Sequence, residues 1–89
     1  MKITDVRIRP VDKEDSKVKA VASITIDGEF VVHDIKVIEN NNSLFVAMPS
    51  KKDGNGARKD VAHPINTAAR GYIHDTIIAK YNEAINNAE

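Results

Sequence analysis

Residues 30–52 read FVVHDIKVIENNNSLFVAMPSKK, and this stretch decides the fold. It holds the densest apolar run of the chain, then a polar turn, then a second apolar run that ends at Pro49 and a lysine pair. Runs of β-branched and aromatic residues around an asparagine cluster are typical of two neighbouring strands joined by a turn. We therefore interpret the stretch as two strands of a sheet, followed by the mouth of a basic loop.

The first of these strands is predicted for residues 29–39, and it is apolar on both faces. Strict alternation would put one set of apolar side chains on one face and a second set on the other: Phe30, Val32 and Ile38, against Val31, Ile35 and Val37. A strand that is apolar on both faces usually lies centrally and is covered on each side. We expect a helix as one cover and a partner subunit as the other. The next strand is predicted for residues 44–48.

Two further strands are predicted upstream of this stretch. In residues 2–9, Thr4, Val6 and Ile8 share one face and charged residues share the other, which is typical of a half-buried strand. Residues 17–27 alternate more strictly, with Val18, Ala20, Ala22, Ile24 and Ile26 on one face. Asp27-Gly28 predicts a type I′ hairpin turn, since that turn needs positive φ at both central positions. Residues 11–16 are expected to form a charged, solvated connection.

Downstream, residues 49–58 are predicted to be a loop with two glycines, and residues 59–62 a short fifth strand beside the fourth. His63-Pro64 opens a helix, because proline suits the first helical turn. Asn66 would serve as a cap one turn later. Residues of one face, most of them apolar, then recur at helical spacing: Ile65, Ala69, Tyr72, Ile73, Thr76, Ile77, Lys80, Tyr81 and Ala84. The tail from Asn86 is expected to fray.

Gly71 lies inside the predicted helix, where glycine costs about 1 kcal/mol relative to alanine. We interpret it as a point of close approach to the sheet or to a ligand. The whole pattern predicts a single α+β domain over residues 1–89. It is an antiparallel meander of about five strands, followed by one long C-terminal helix.

The size and composition of the chain favour self-association. It has 89 residues, only 4% aromatic residues and no cysteine, so neither a large core nor a disulfide reinforces the fold. We therefore expect a homodimer. No apolar run approaches the ~20 residues of a membrane span, and the N-terminus lacks a signal-peptide core. These features predict a cytoplasmic protein with no membrane span.

The net charge is zero, with 13 basic and 13 acidic residues, which excludes a strongly basic nucleic-acid binder but not a local basic patch. The best candidate patch lies around the glycine loop, where Lys51, Lys52, Arg58 and Lys59 outnumber two aspartates. If the loop closes on itself, these cations gather at one end of the sheet and contact phosphates. Arg70 follows near the start of the helix. An ordinary charged loop tip remains the alternative, since surface lysine clusters are common.

Nothing in the sequence predicts catalysis, a cofactor or a metal site. His33, His63 and His74 lack the short spacings of zinc ligands, and His33 and His63 are expected to be partly buried and bonded to backbone or carboxylate groups. Ser23, Ser43 or Ser50 would supply a nucleophile, but no elbow-type motif surrounds them. The Gly-Asn-Gly of the loop does not join a strand to a helix, so it is not a phosphate-binding turn.

Several segments together resemble the stage V sporulation protein G (SpoVG) family. They are VRIRPV, VKAVASITIDGEFVVHDIKVIE, NNSLFVAMPSKK, RKDVAHPIN and ARGYIHD, and they cover nearly the whole chain. The family's MPSKK…R-D-AHPIN region and its RG pair correspond here to Met48, Pro49, Ser50, Lys51, Lys52, Arg58, Asp60, Ala62, His63, Pro64, Ile65, Asn66, Arg70 and Gly71. The loop interior, residues 53–57, departs from the family pattern, which leaves any inherited sequence preference open.

The resemblance implies a small cytoplasmic bacterial homodimer without enzymatic activity or cofactor. Members of this family are linked to septation at sporulation, and relatives in other bacteria act as regulators that bind DNA or, in some cases, RNA. The first hypothesis is therefore a dimeric nucleic-acid-binding regulator that uses Lys51, Lys52, Arg58, Lys59 and Arg70. The second is a protein-interaction module in cell division that binds no nucleic acid. An enzyme is a distant third.

Overall fold

A computed structural model of the chain describes residues 1–11 and 17–87. It contains six strands and one helix: β1 (Ile3–Pro10), β2 (Val18–Ile26), β3 (Phe30–Asn40), β4 (Ser43–Ala47), β5 (Ser50–Lys52), β6 (Arg58–Asp60) and α1 (Thr67–Asn87). Strands β1 to β4 form an antiparallel sheet in the order β1-β2-β3-β4, and β5 and β6 form a separate hairpin. The predicted α+β meander with a C-terminal helix is confirmed. Most of the predicted charged connection, and the last two residues of the tail, lie outside the described residues.

Two tight turns set the order of the central strands. Asp27 and Gly28 have φ values of 54° and 66°, and the Glu29 N–H donates to the Ile26 carbonyl over 3.0 Å. Asn41 and Asn42 have φ values of 53° and 65°. Both turns therefore use positive φ at both central residues, as type I′ hairpins do, and both turn predictions are confirmed.

A β-bulge at Asp34 changes the predicted faces of β3. Ala22 pairs with Ile35 and Ile24 pairs with Val32, so β3 has one residue more than β2 across this interval. Asp34 lies in this interval and has a positive φ of 63°, which marks the bulge. The extra residue resets the alternation, and Val32 lies on the same face as Ile35 and Val37. The predicted division of β3 into two strict sets is wrong for this reason.

The glycine loop holds more structure than its sequence predicted. Residues 50–52, predicted as loop, form β5, and the strand expected beside β4 instead pairs with β5. Asp53 closes the turn between them: its Oδ1 accepts from the N–H groups of Asn55 (2.8 Å) and Ala57 (3.1 Å). Gly56 supplies the positive φ of 83° that the turn needs. The predicted fifth strand is therefore part of a hairpin outside the main sheet.

The helix begins later than Pro64. Asn66 is its cap, because its Oδ1 accepts from the Ala69 N–H over 2.7 Å and its carbonyl accepts from the Arg70 N–H over 3.1 Å. Pro64 and Ile65 belong to the preceding linker, and Ile65 is 88% exposed rather than on the buried face. Of the two helix starts considered from the sequence, Pro64 and Asn66, the structure uses Asn66. The helix continues to Asn87, beyond the point where fraying was expected.

The core lies between one face of the sheet and α1. Its buried side chains come from three strands and from helix positions four residues apart: Val6, Ala20, Ala22, Ile24, Ile35, Val37, Ile73, Ile77 and Tyr81. The Tyr72 hydroxyl also accepts the Ile3 N–H over 2.9 Å, which ties the start of β1 to the helix. On the opposite face of the sheet, called here the outer face, no helix packs within residues 1–11 and 17–87. No helix among the described residues is long and apolar enough to cross a membrane.

Gly71 does not mark a close approach. A methyl group built at this position meets no atom within 4 Å outside its own helix turn, and its φ is not in the left-handed region. The expected close approach to the sheet is therefore absent within the described chain.

Truncation of Ile77, a helix residue at the centre of the core, should lower the stability of the fold. Ile77 is completely buried between the helix and the sheet, so Ile77→Ala is expected to lower the free energy of unfolding by about 2–5 kcal/mol through lost burial and a residual cavity. Urea unfolding followed by circular dichroism measures this. Ile65→Ala is the matched control, with a change within about 0.5 kcal/mol because the side chain is exposed. Equal losses in both variants would contradict this assignment of the core.

Replacement of the helix glycine should stabilise the fold. Gly71→Ala adds a methyl group in open space inside α1, and it should raise the free energy of unfolding by about 1 kcal/mol. Gly28→Ala is the control: it should destabilise the protein, since Gly28 has a φ of 66°. A loss of stability in Gly71→Ala would mean that the glycine has a packing role after all.

Candidate nucleic-acid interface

The β5–β6 hairpin gathers four cations on two consecutive residue pairs. Lys51 lies opposite Lys59, and Lys52 lies opposite Arg58. Successive residues of a strand point to opposite faces, so each face of the hairpin carries one pair of like charges. The predicted clustering of these four residues is confirmed by the geometry. Directly opposed like charges destabilise a strand pair. An anion that binds between these cations therefore reduces the repulsion between them.

Acidic side chains compensate little of this charge. Of these four cations, only Lys59 has a carboxylate within 4.0 Å among the described residues: its Nζ lies 3.8 Å from Asp53 Oδ2. Both groups keep contact with solvent, and such a pair contributes little. Arg58 donates from Nε to the Ser50 hydroxyl (3.2 Å) and from Nη2 to the Ser50 carbonyl (3.5 Å), which orients its guanidinium along the hairpin. Positive charge is therefore concentrated here on a chain that is neutral overall.

A wide groove lies between the hairpin and the outer face of the sheet. Its volume is about 950 Å³. Lys51 and Arg58 lie on the hairpin side, and Lys36 lies on the sheet side. Its apolar lining includes Val21 and Ile38 of the sheet. The groove thus combines cations on both walls with an apolar floor.

Lys36 is a site residue that the sequence analysis did not select. It pairs with Val21 and with Ala47, so its side chain points to the outer face, away from Ile35 and Val37. Alternation with those two buried residues was the available signal. Alternation alone did not identify Lys36 as a site residue, because only the fold shows that the hairpin lies across the groove from it.

Arg70 is not part of this cluster. It lies near the start of α1 and lines two other cavities, of about 220 and 460 Å³, each shared with Pro64. The structure therefore brings together Lys51, Lys52, Arg58 and Lys59, and it places Arg70 beside the linker that precedes the helix.

The three histidines lie in separate surroundings. His33 shares a 3.1 Å hydrogen bond with the Ser23 hydroxyl across two strands, and His63 Nδ1 lies 3.1 Å from the Pro64 carbonyl. His74 Nδ1 lies 3.2 Å from Asp75 Oδ1. His33 and His63 are exposed rather than partly buried, and only His63 bonds the backbone as predicted. They line different cavities, and no group of three potential metal ligands occurs in residues 1–11 and 17–87.

Comparison with known proteins shows the family. The SpoVG family model matches residues 1–83. A protein of Agathobacter rectalis named "Putative septation protein SpoVG" is 60% identical over 98% of this chain and 99% of its own length. Proteins of the same name from Clostridium acetobutylicum and Geobacillus thermodenitrificans are 57% and 58% identical, over 100% and 92% of this chain and 93% and 84% of theirs. The chain belongs to the SpoVG family.

Proposed function

We propose that this protein is a dimeric, cytoplasmic regulator that binds nucleic acid through the β5–β6 hairpin and acts in septation and gene expression without catalysis. The observation that supports this most directly is the two pairs of opposed like charges, Lys51 with Lys59 and Lys52 with Arg58. A hairpin that is built from repelling cations is stabilised by a polyanion, and phosphates spaced along a nucleic acid supply one.

The shape of the site favours contact with the phosphate backbone. The hairpin has no aromatic residue, so stacking on unpaired bases is not its means of recognition. Cations on both of its faces suit insertion beside a groove of a duplex, with Lys36 at the wall behind. Two copies in a dimer offer two such hairpins, and the second contact then forms at high effective concentration.

A protein-interaction module in septation is the second candidate, and exposed apolar residues favour it. Val61 and Ile65, in the linker between the hairpin and α1, are 66% and 88% exposed. An exposed apolar pair on a short linker suits a protein partner better than it suits phosphate. This function predicts that division proteins bind while DNA and RNA do not, at any salt concentration.

Removal of the hairpin cations should abolish most nucleic-acid binding. The variant Lys51→Ala/Lys52→Ala/Arg58→Ala is expected to weaken the apparent Kd for duplex DNA by at least about tenfold near 50 mM salt, and to flatten its salt dependence, because fewer counterions are released. Electrophoretic mobility shift over a range of salt concentrations measures both effects. Parallel titrations with single-stranded DNA and RNA identify the preferred polymer.

The matched control is Lys2→Ala/Lys17→Ala/Lys80→Ala, which removes the same charge from exposed positions outside the groove. It should retain most of the affinity. Equal affinity in the hairpin variant and the original protein at low salt would refute this site. A Kd that does not change with salt would refute phosphate contact altogether.

Removal of the one acidic partner should have the opposite effect. In Asp53→Asn the amide oxygen still accepts the N–H groups of Asn55 and Ala57, but Lys59 loses its ion pair and the hairpin gains one charge. We expect tighter binding and a salt slope that is steeper by about one per protomer. Asp75→Asn on the helix, with the same change of charge, should leave the slope unchanged. A weaker Kd for Asp53→Asn would contradict the charge argument.

A further inference from the structure

The outer face of the sheet carries cations besides those of the hairpin. Ile8 of β1 packs against the core, so its neighbours Arg7 and Arg9 point to the outer face. Arg9 pairs with Val21 of β2, and Val21 pairs with Lys36 of β3. Arg9 and Lys36 therefore lie in one row across three strands, roughly 10 Å apart at the backbone.

A second row runs beside the first. Arg7 pairs with Ser23, and the Ser23 hydroxyl shares a 3.1 Å hydrogen bond with His33 Nδ1 on the next strand. This bond holds the imidazole on the outer face, in line with Arg7. Because Arg7 and Arg9 are two residues apart on one strand, the two rows are separated by about 7 Å.

The two rows continue the groove of the candidate site. A depression of about 880 Å³ beside β1 is lined by residues of both rows. It shares three lining residues, Val21, His33 and Asp34, with the groove of about 950 Å³ that borders the hairpin. The depression and the groove therefore form one continuous surface, which runs from β1 across β2 and β3 to the hairpin.

Acidic side chains leave one of these rows uncompensated. Asp34 lines both cavities, and Asp5 Oδ2 lies 3.2 Å from Arg7 Nε. Both side chains of the Asp5–Arg7 pair are more than half exposed, so the pair contributes little. Arg9 and Lys36 have no carboxylate within 4.0 Å among residues 1–11 and 17–87. Within that part of the chain, both are available to an anion.

The polarity of this face favours a nucleic acid over a protein as its occupant. Charged residues are depleted at the centre of protein interfaces, whereas here the exposed Arg9 and Lys36 flank the half-buried Val21. A disordered acidic peptide supplies negative charge but loses conformational entropy when it is ordered. A nucleic acid carries phosphates at regular intervals on a stiff backbone, and arginine binds phosphate in a bidentate manner.

We propose that the outer face of the sheet is a second part of the nucleic-acid site, where Arg7, Arg9 and Lys36 contact the phosphates of a polymer that leaves the hairpin. The proposal rests on the proposed function and deepens it by naming the path of the polymer. The molecule measures 42 Å along its longest axis. At 3.4 Å per nucleotide, about twelve nucleotides of a strand cross that length.

Loss of the two arginines should weaken the binding of long duplexes only. For Arg7→Ala/Arg9→Ala we expect the Kd of a duplex of about 20 base pairs to rise about fivefold or more near 50 mM salt, and its salt slope to fall by about two per protomer. A DNA stem-loop of about six base pairs is too short to reach from the hairpin to β1, so its Kd should change less than about twofold. Fluorescence anisotropy measures both.

Two variants separate the position of the charge from its mere loss. Arg7→Lys/Arg9→Lys keeps both charges and should retain most of the affinity. Lys2→Ala/Lys80→Ala removes the same charge from positions outside both cavities, and it should also retain most of it. Circular dichroism should show the same fold in all of them, since these positions are exposed. An unchanged Kd of the long duplex in Arg7→Ala/Arg9→Ala, or an equal loss in Lys2→Ala/Lys80→Ala, would overturn the proposal.

A photocrosslinker attached to single cysteines locates the polymer directly, since the natural chain has no cysteine. With an azidophenacyl group on the thiol, Arg9→Cys on β1 and Asn55→Cys in the hairpin turn should both crosslink to the long duplex. Lys80→Cys on α1 is the matched control and should give only background. Denaturing gel electrophoresis after illumination measures the yield.

The two labelled positions distinguish this proposal from the proposed function. Crosslinking through Asn55→Cys but not through Arg9→Cys would overturn the path across the sheet and leave the hairpin as the whole site. Crosslinking through neither would count against both. If polyglutamate at equal charge displaces the duplex from Arg9→Cys as well as unlabelled duplex does, an acidic protein fits this face equally and the assignment to nucleic acid fails.

Discussion

The fold depends on the single extra residue in β3. Because Asp34 takes a left-handed conformation at a bulge, Val32 and Ile35 point to the same face although they are three residues apart. That face then meets Ile73, Ile77 and Tyr81 of the helix. Without the bulge, one of these two apolar side chains would point to the outer face, and a core with few aromatic residues would lose part of its small buried area.

The same arrangement separates the stable part of the molecule from the part that carries charge. The sheet and helix share the core, whereas the hairpin makes its main contacts within itself and is exposed along all of β6. Opposed like charges are tolerated there because solvent screens them and because the turn is held by Asp53 and Gly56 rather than by burial. A neutral chain thus presents a positive hairpin outside the core that the sheet and helix share.

An open strand edge and a basic hairpin lie on the two sides of one groove. The exposed residues of the edge, Phe30 and Val31, are apolar, whereas the hairpin is cationic. The two surfaces therefore differ in chemistry although they border the same groove.

Much of the fold was predictable because its signals are local. Alternation defined β1 and β2, positive-φ residues defined the two turns, and the family motifs located the basic segment before any coordinates. The bulge was not predictable, since Asp34 shows its conformation only through pairing with β2. The start of the helix depended on whether Pro64 or Asn66 would be used, and the Asn66 cap decided it. By itself the sequence determined which residues are apolar, which turn and which carry charge, because these are properties of single side chains and their neighbours. Only the tertiary structure decided that β5 and β6 leave the sheet, that Lys36 faces them and that Arg70 does not, because those relations depend on how distant segments pack.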